Sequence, residues 1–187
     1  MISQLTPAAG KLLISEPFMD DPNFTRSVVL LTEHGEEGTL GFVINHPSLL
    51  ILNDLVAEFK GKDFPVYYGG PVAMDTLHFI HRCPDKIPGG EEIAKGIYWG
   101  GNFETLKALV NEGSVTKEEV KFFVGYSGWG HDQLDEEMKG NTWIVSDKYD
   151  SDLVFSSSEE HIWREVIIHL GPKYAHISNF PQNPNLN

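Results

Sequence analysis

The residues with the strongest claim on chemistry are Gly125-Tyr126-Ser127-Gly128-Trp129-Gly130, where an apolar run ends in a glycine-flanked serine. A nucleophile elbow has that look, because small residues permit the strained turn that exposes the serine. The elbow, however, needs glycine two residues after the serine, and Trp129 stands there, with no apolar helix following. The plainer reading is a glycine-rich strand exit that packs Tyr126 and Trp129 against neighbouring backbone. Between the two lies a recognition surface built on those aromatics. The eight histidines raise the question of a metal. His78, His81 and Cys83 form H-x-x-H-x-C, but in a strand positions 78 and 81 face opposite ways, so no metal site is expected. The acidic doublets from Asp20-Asp21 to Glu136-Glu137 are spread along the chain, as solvated faces are. Gly69-Gly70 and Gly89-Gly90 lack the lysine and serine or threonine of a phosphate loop and do not form G-x-G-x-x-G, so no nucleotide cofactor is expected. Arg26, just before the apolar run Val28–Leu31, is expected to pair with Asp20 or Asp21 and organise the strand entry.

The elements that would position these residues follow from period and punctuation. Lys11–Ile14 and Val28–Leu31 read as strands, and Val28–Glu33 with Thr39–Ile44 reads as a hairpin. Leu49–Phe59 shifts to a helical period, with Leu52, Leu55, Val56 and Phe59 on one face and Gly61 as the stop. Pro65–Tyr68, Leu77–Ile80, Ile97–Trp99, Val120–Val124 and Thr142–Val145 are strand-like. Asn102 caps a helix over Phe103–Asn111, and Asp132–Lys139 is a short acidic helix. Ser157 with Glu160 forms a capping box for a helix that carries Ile162, Trp163, Val166, Ile167 and Leu170 and ends at Gly171-Pro172. Pro181–Asn187 reads as a loose tail. About eight strands and four helices without strict alternation give an α+β fold in one domain over 1–187, with a possible subdomain near 63–101.

The chain of 187 residues carries 14 Lys and Arg against 27 Asp and Glu, a net charge of −13. That balance is a poor match for phosphate backbones or anionic lipid, so neither nucleic acid nor membrane is an expected partner. One cysteine, Cys83, excludes an internal disulfide and fits a reducing compartment. The opening residues show no signal-peptide pattern and no run reaches membrane-spanning length, so the expected location is the cytoplasm.

From Gly10 to Pro47 the chain reads GKLLISEPFMDDPNFTRSVVLLTEHGEEGTLGFVINHP, which resembles the signature of the AlgH/YqgE family of bacterial proteins. Gly69-Gly70-Pro71-Val72, Gly125–Gly130 with Gln133-Leu134, Trp163, Leu170-Gly171 and Leu186-Asn187 extend the match over nearly the whole chain. His46 departs from it, standing where the family commonly has arginine. The resemblance implies a cytoplasmic α+β protein with a mixed, bifurcated sheet curled into a pseudo-barrel. It supplies no catalytic residues, although some members are described as transcriptional regulators.

The reading is therefore a non-enzymatic binding or regulatory protein with a protein or small-molecule partner, no cofactor and no metal. The runner-up is a small-ligand binder or hydrolase-like enzyme using the Gly125–Gly130 loop. A direct DNA-binding regulator is disfavoured by charge. The expected binding surface gathers Asn45, Gly69, Gly70, Tyr126, Trp129 and Gln133. In it, Gly125–Gly130 leaves a sheet edge and lays Trp129 on the Gly69-Gly70-Pro71 loop, forming the main concavity.

Overall fold

Short β-branched and leucine-rich runs open the chain as β1 (Leu12–Ser15), β2 (Val28–Gly35), β3 (Gly38–Val43) and β4 (Pro47–Ile51). A one-turn helix, α1 (Leu52–Leu55), precedes β5 (Pro65–Tyr68), β6 (Val72–His81), β7 (Glu91–Ala94) and β8 (Ile97–Trp99). Then come α2 (Phe103–Glu112), β9 (Val120–Gly130), α3 (Gln133–Lys139) and β10 (Trp143–Ser146). The chain finishes with α4 (Ser151–Val154), α5 (Glu159–His169), α6 (Pro172–Ala175) and a 3-10 turn, His176–Asn179. The computed structural model describes residues 5–60 and 63–179. Gly61 as a helix stop and the Pro181–Asn187 tail lie outside the described residues.

The fold is α+β, and β9 is its branch point. The main sheet runs β10-β1-β2-β3-β9-β6-β8-β7, with β5 on β9 and β4 on β5. The first half of β9 lies antiparallel to β6 (Phe122↔Phe79) and parallel to β5 (Phe122↔Val66). Its second half crosses to β3, pairing Ser127↔Gly41 through Gly130↔Gly38. The sheet is thus mixed and bifurcated, as the resemblance implies. It also curls: Gly10, just before β1, meets the Ile93 carbonyl of β7 so closely that no side chain fits between them. Among the described residues no ladder joins β7 to β10, so the barrel is not closed.

The curl makes an inner and an outer face, and side-chain period assigns residues to them. Leu12, Ile14, Leu30, Phe42 and Phe123 fill the inner core, which α5 seals with Ile162, Trp163, Val166 and Ile167. The helix starts where the Ser158 Oγ accepts from the His161 N–H. A second core packs Phe122 and Val66 under Leu106 and Val110 of α2. A third gathers Leu13, Val29, Trp129 and Trp143 beneath Leu134 of α3.

Several elements differ from the sequence reading. Leu49–Phe59 is not one helix: Pro47–Ile51 is an edge strand, and only Leu52–Leu55 is helical. Its helical period is accidental, since Leu49 is fully exposed while only Leu52 and Phe59 of that face are buried. Ser48 and Asp54 side chains bind the Leu50 and Ile51 N–H groups, which favours extended backbone there. The α5 cap is Ser158, one residue past the expected Ser157. Gly125–Gly130 is not a loop but the second half of β9, where Gly38 meets the Trp129 carbonyl too closely for any side chain to fit.

Candidate functional site

Asn45, Gly69, Gly70, Tyr126, Trp129 and Gln133 do not form one concavity. Gly69 and Gly70 do meet β9, but at Gly125–Ser127: a side chain on Gly70 would overlap the Tyr126 carbonyl. Gly125 itself takes φ +68°, a conformation costly for any residue with a Cβ. Ser127 is fully buried, and its Oγ donates to the Gly69 carbonyl at 2.9 Å, so the hydroxyl is a strut. Trp129 points to the opposite face from Tyr126, away from Gly69-Gly70-Pro71. It is 4% exposed and packs on Phe24 (centroids 6.1 Å apart) and edge-on to Trp143 (5.8 Å). Beside those indoles lies the Glu137 carboxyl. Burial pushes its pKa up, and the N–H groups of Trp129 and Trp143 pull it down. Among the described residues Trp143 Nε1 has no acceptor within hydrogen-bond geometry. The Gln133 Oε1 accepts from the Gly130 N–H at 3.0 Å, closing the turn into α3.

Asn45 staples the first loop. Its Oδ1 accepts from the Val28 N–H at 2.9 Å, and its Nδ2 donates to the Arg26 carbonyl at 2.8 Å. The bracket spans Arg26, whose φ of +46° is unusual for a residue with a side chain. Where the sequence places Arg26 beside Asp20 or Asp21, the structure lays its guanidinium over the Trp163 ring, 4.4 Å from the centroid, under the field of Glu160. The Asp21 Oδ1 accepts from the Asn23 N–H.

His81 is also framework. Its Nε2 faces the Gly100 carbonyl at 3.0 Å and its Nδ1 faces the Cys83 N–H at 3.3 Å, which sets the neutral Nε2–H tautomer. Burial holds its pKa below the usual value, as it does for His46 and His78. Cys83 is buried and its thiol pKa is raised by that burial. Among the described residues no group of three or more His, Cys, Asp or Glu is arranged to hold a metal.

A sizeable concavity lies elsewhere. It is a cleft of about 540 Å³ between the start of β9, Tyr67 of β5, α4 and α5. From α5, His161, Glu165 and His169 line it at i, i+4 and i+8, one face of the helix. Facing them are Lys117 and Glu118 before β9, and Asp150 and Asp152 at α4. Arg82 is anchored there by Asp152 Oδ1 at 2.7 Å and the Ser151 Oγ at 2.8 Å. At the floor sits Lys121, 3% exposed. Its ammonium donates to the carbonyls of Ile44 (2.6 Å), Val154 (2.9 Å) and Ser156 (3.1 Å) and rests 4.1 Å from the Tyr67 ring centroid. Burial pushes the Lys121 pKa down to about 7. The carbonyls oppose that pull, because three acceptors match the three N–H groups of an ammonium. Lys121 therefore ties the end of β3 and the exit of α4 to β9 and shapes the cleft from below.

The sequence reading missed Lys121, Arg82 and the α5 stripe. Lys121 had a signal, a lone cation inside the apolar run Val120–Val124. The spacing of His161, Glu165 and His169 was equally legible. Arg82 had none, since its partners lie 69 and 70 residues away.

A branched, curled α+β sheet with its polar groups largely tied into the framework and a charged cleft under α5 defines the class of protein. The chain belongs to the AlgH-like family, whose profile matches residues 12–175. It is 44% identical over 186 residues to a UPF0301 protein of Bacteroides fragilis, covering 99% of this chain and 94% of that one. A UPF0301 protein of Cytophaga hutchinsonii is 41% identical over 179 residues, with 95% and 98% covered. Among solved structures, the AlgH protein of Pseudomonas aeruginosa matches with a TM-score of 0.73 at 27% identity, covering 95% of this chain and 97% of that one. A Corynebacterium diphtheriae protein matches at 0.79 and 21% identity, with 95% of each chain covered, a likeness of fold.

Proposed function

We propose that the protein acts by binding, not catalysis, and that the cleft under α5 takes a small polar ligand carrying charges of both signs. The observation that carries this is the cleft lining: Arg82, Lys117 and Lys121 stand there with Glu118, Asp150, Asp152 and Glu165, around a volume of about 540 Å³. A site that mixes charges this evenly offers complementary partners to a zwitterion and repels part of any pure anion or cation. The non-enzymatic side of the reading is supported by the candidate nucleophiles. Ser127, Cys83 and Lys121 are buried, and both Ser127 and Lys121 donate to backbone carbonyls. A regulatory role in the cytoplasm is consistent with the unpaired Cys83 and with the absence, among the described residues, of a helix long and apolar enough to cross a membrane. The −13 charge argues for a route other than direct contact with DNA.

The test is a thermal-shift screen of the full chain against amino acids and dipeptides, dicarboxylates and polyamines. Zwitterions should raise the melting temperature, and Glu165→Gln with Lys117→Met should remove the shift. Stabilisation by dicarboxylates or polyamines alone, or consumption of the stabilising compound, overturns the reading.

A further inference from the structure

The tip of the β2–β3 hairpin leans against the end of β9. His131 Nδ1 lies 2.6 Å from the Glu36 carbonyl, which joins the two, and within the hairpin His34 Nδ1 lies 2.6 Å from the Thr39 Oγ1. Two depressions flank the β3–β9 ladder there: one of about 340 Å³ on the α3 face, with Thr39 and Leu134, and on the opposite face an open groove of about 410 Å³. The floor is apolar: Leu40, Val72, the Tyr126 ring and the bare backbone of Gly128. Val72 is 37% exposed, and Met74, at 52%, stands beside Gly125 at one end. The rim is acidic: Glu33 and Glu37 line the groove, and no lysine or arginine does.

We propose that this groove docks a short cationic segment of a partner protein, with one aliphatic or aromatic side chain over Leu40 and Tyr126 and flanking lysines or arginines on the rim. Charge selects the occupant. A second copy of this chain, at −13, would bring repulsion to a rim that is already wholly negative. The apolar floor selects in turn against a small cation, which would leave Leu40, Val72 and Tyr126 uncovered. Gly128 and Gly130, both exposed, carry no side chains to fill the groove, so it is open without rearrangement.

The probes are a fluorescein-labelled peptide Ac-KLRFKLK-NH2, its acidic counterpart Ac-ELEFELE-NH2, and spermine, each added to the full-length protein at low salt. The basic peptide should bind saturably and shift the amide signals of Leu40, Tyr126, Gly128 and Gly130. Affinity should fall at least tenfold in Glu33→Gln/Glu37→Gln, whose exposed side chains leave the fold intact, and also as salt rises. The acidic peptide should not bind. No saturable binding, equal binding of both peptides, an unaffected double variant, or the same amide shifts with spermine alone would overturn the proposal. So would a self-association of the chain that buries these residues. The amides of Lys117 and His161 report the cleft separately, so failure here leaves the cleft reading standing.

Discussion

Lys121→Met tests how a fully buried ammonium holds two elements to the central strand. Methionine keeps most of the stem, so packing changes little while the Ile44, Val154 and Ser156 carbonyls lose their shared donor. Hydrogen bonds to a charged group are worth about 1.5–3 kcal/mol each, and a buried acceptor left alone costs about 1–3 kcal/mol. Against that, the variant no longer carries the desolvation cost of a buried charge, several kcal/mol. The balance is a net loss of about 3 kcal/mol, equivalent to a fall of roughly 6–12 °C in melting temperature for a chain of this size. Urea and thermal denaturation followed by circular dichroism measure it, with exposed Lys117→Met as a control expected to change stability by under about 0.5 kcal/mol. The pH dependence adds a second readout. The folded pKa is depressed from 10.5 to about 7, so between those values the unfolded chain binds a proton that the folded chain has released. Wild-type stability should therefore rise with pH across that window, and the rise should be missing from Lys121→Met. A variant as stable as wild type would refute the role given to the carbonyls. A wild-type profile matching that of the variant would refute the dominance of desolvation.

Trp129→Ala should cost about 3–5 kcal/mol, the penalty of a core aromatic and not of a surface one, read as a shift in urea midpoint; a change below about 1 kcal/mol would return Trp129 to a binding role. Asn45→Ala removes the acceptor of the Val28 N–H and a donor to the Arg26 carbonyl and should cost about 2–4 kcal/mol in the same assay, with hydrogen exchange quickening at Val28 first. His46, His78 and His81 have folded pKa values below 6.5 because burial disfavours the imidazolium. Their contribution is present above about pH 6.5 and is lost as pH falls through the folded values, so the urea midpoint should drop between pH 7 and 5; a flat profile would contradict the neutral His81 tautomer.

What the sequence revealed of the fold was local. The β2–β3 hairpin, α2 with its Asn102 cap, and the apolar stripe of α5 were legible because period and capping are properties of neighbouring residues. Leu49–Phe59 misled because leucines at helical spacing lie on an edge strand and a single turn, where side-chain bonds from Ser48 and Asp54 decide the backbone. Gly125–Gly130 misled in the opposite way: three glycines suggested a loop, yet their use is to let β9 change partners from β5 and β6 to β3. The cleft was invisible for a different reason. Lys121 reaches Ile44 across 77 residues and Val154 across 33, and only the curled sheet brings those carbonyls to one point.

The claim that matters most is that the cleft under α5 is the ligand site, and amide chemical-shift mapping of the full chain with the most stabilising zwitterion from the screen tests it directly. The account predicts saturable shifts concentrated at Lys117, Glu118, His161, Glu165 and the Ser156-Ser157 turn, with the signals of Tyr126 and Gly128 unmoved. Shifts centred on Gly69-Gly70 and Tyr126 instead, or no saturable shift at millimolar ligand, would contradict it.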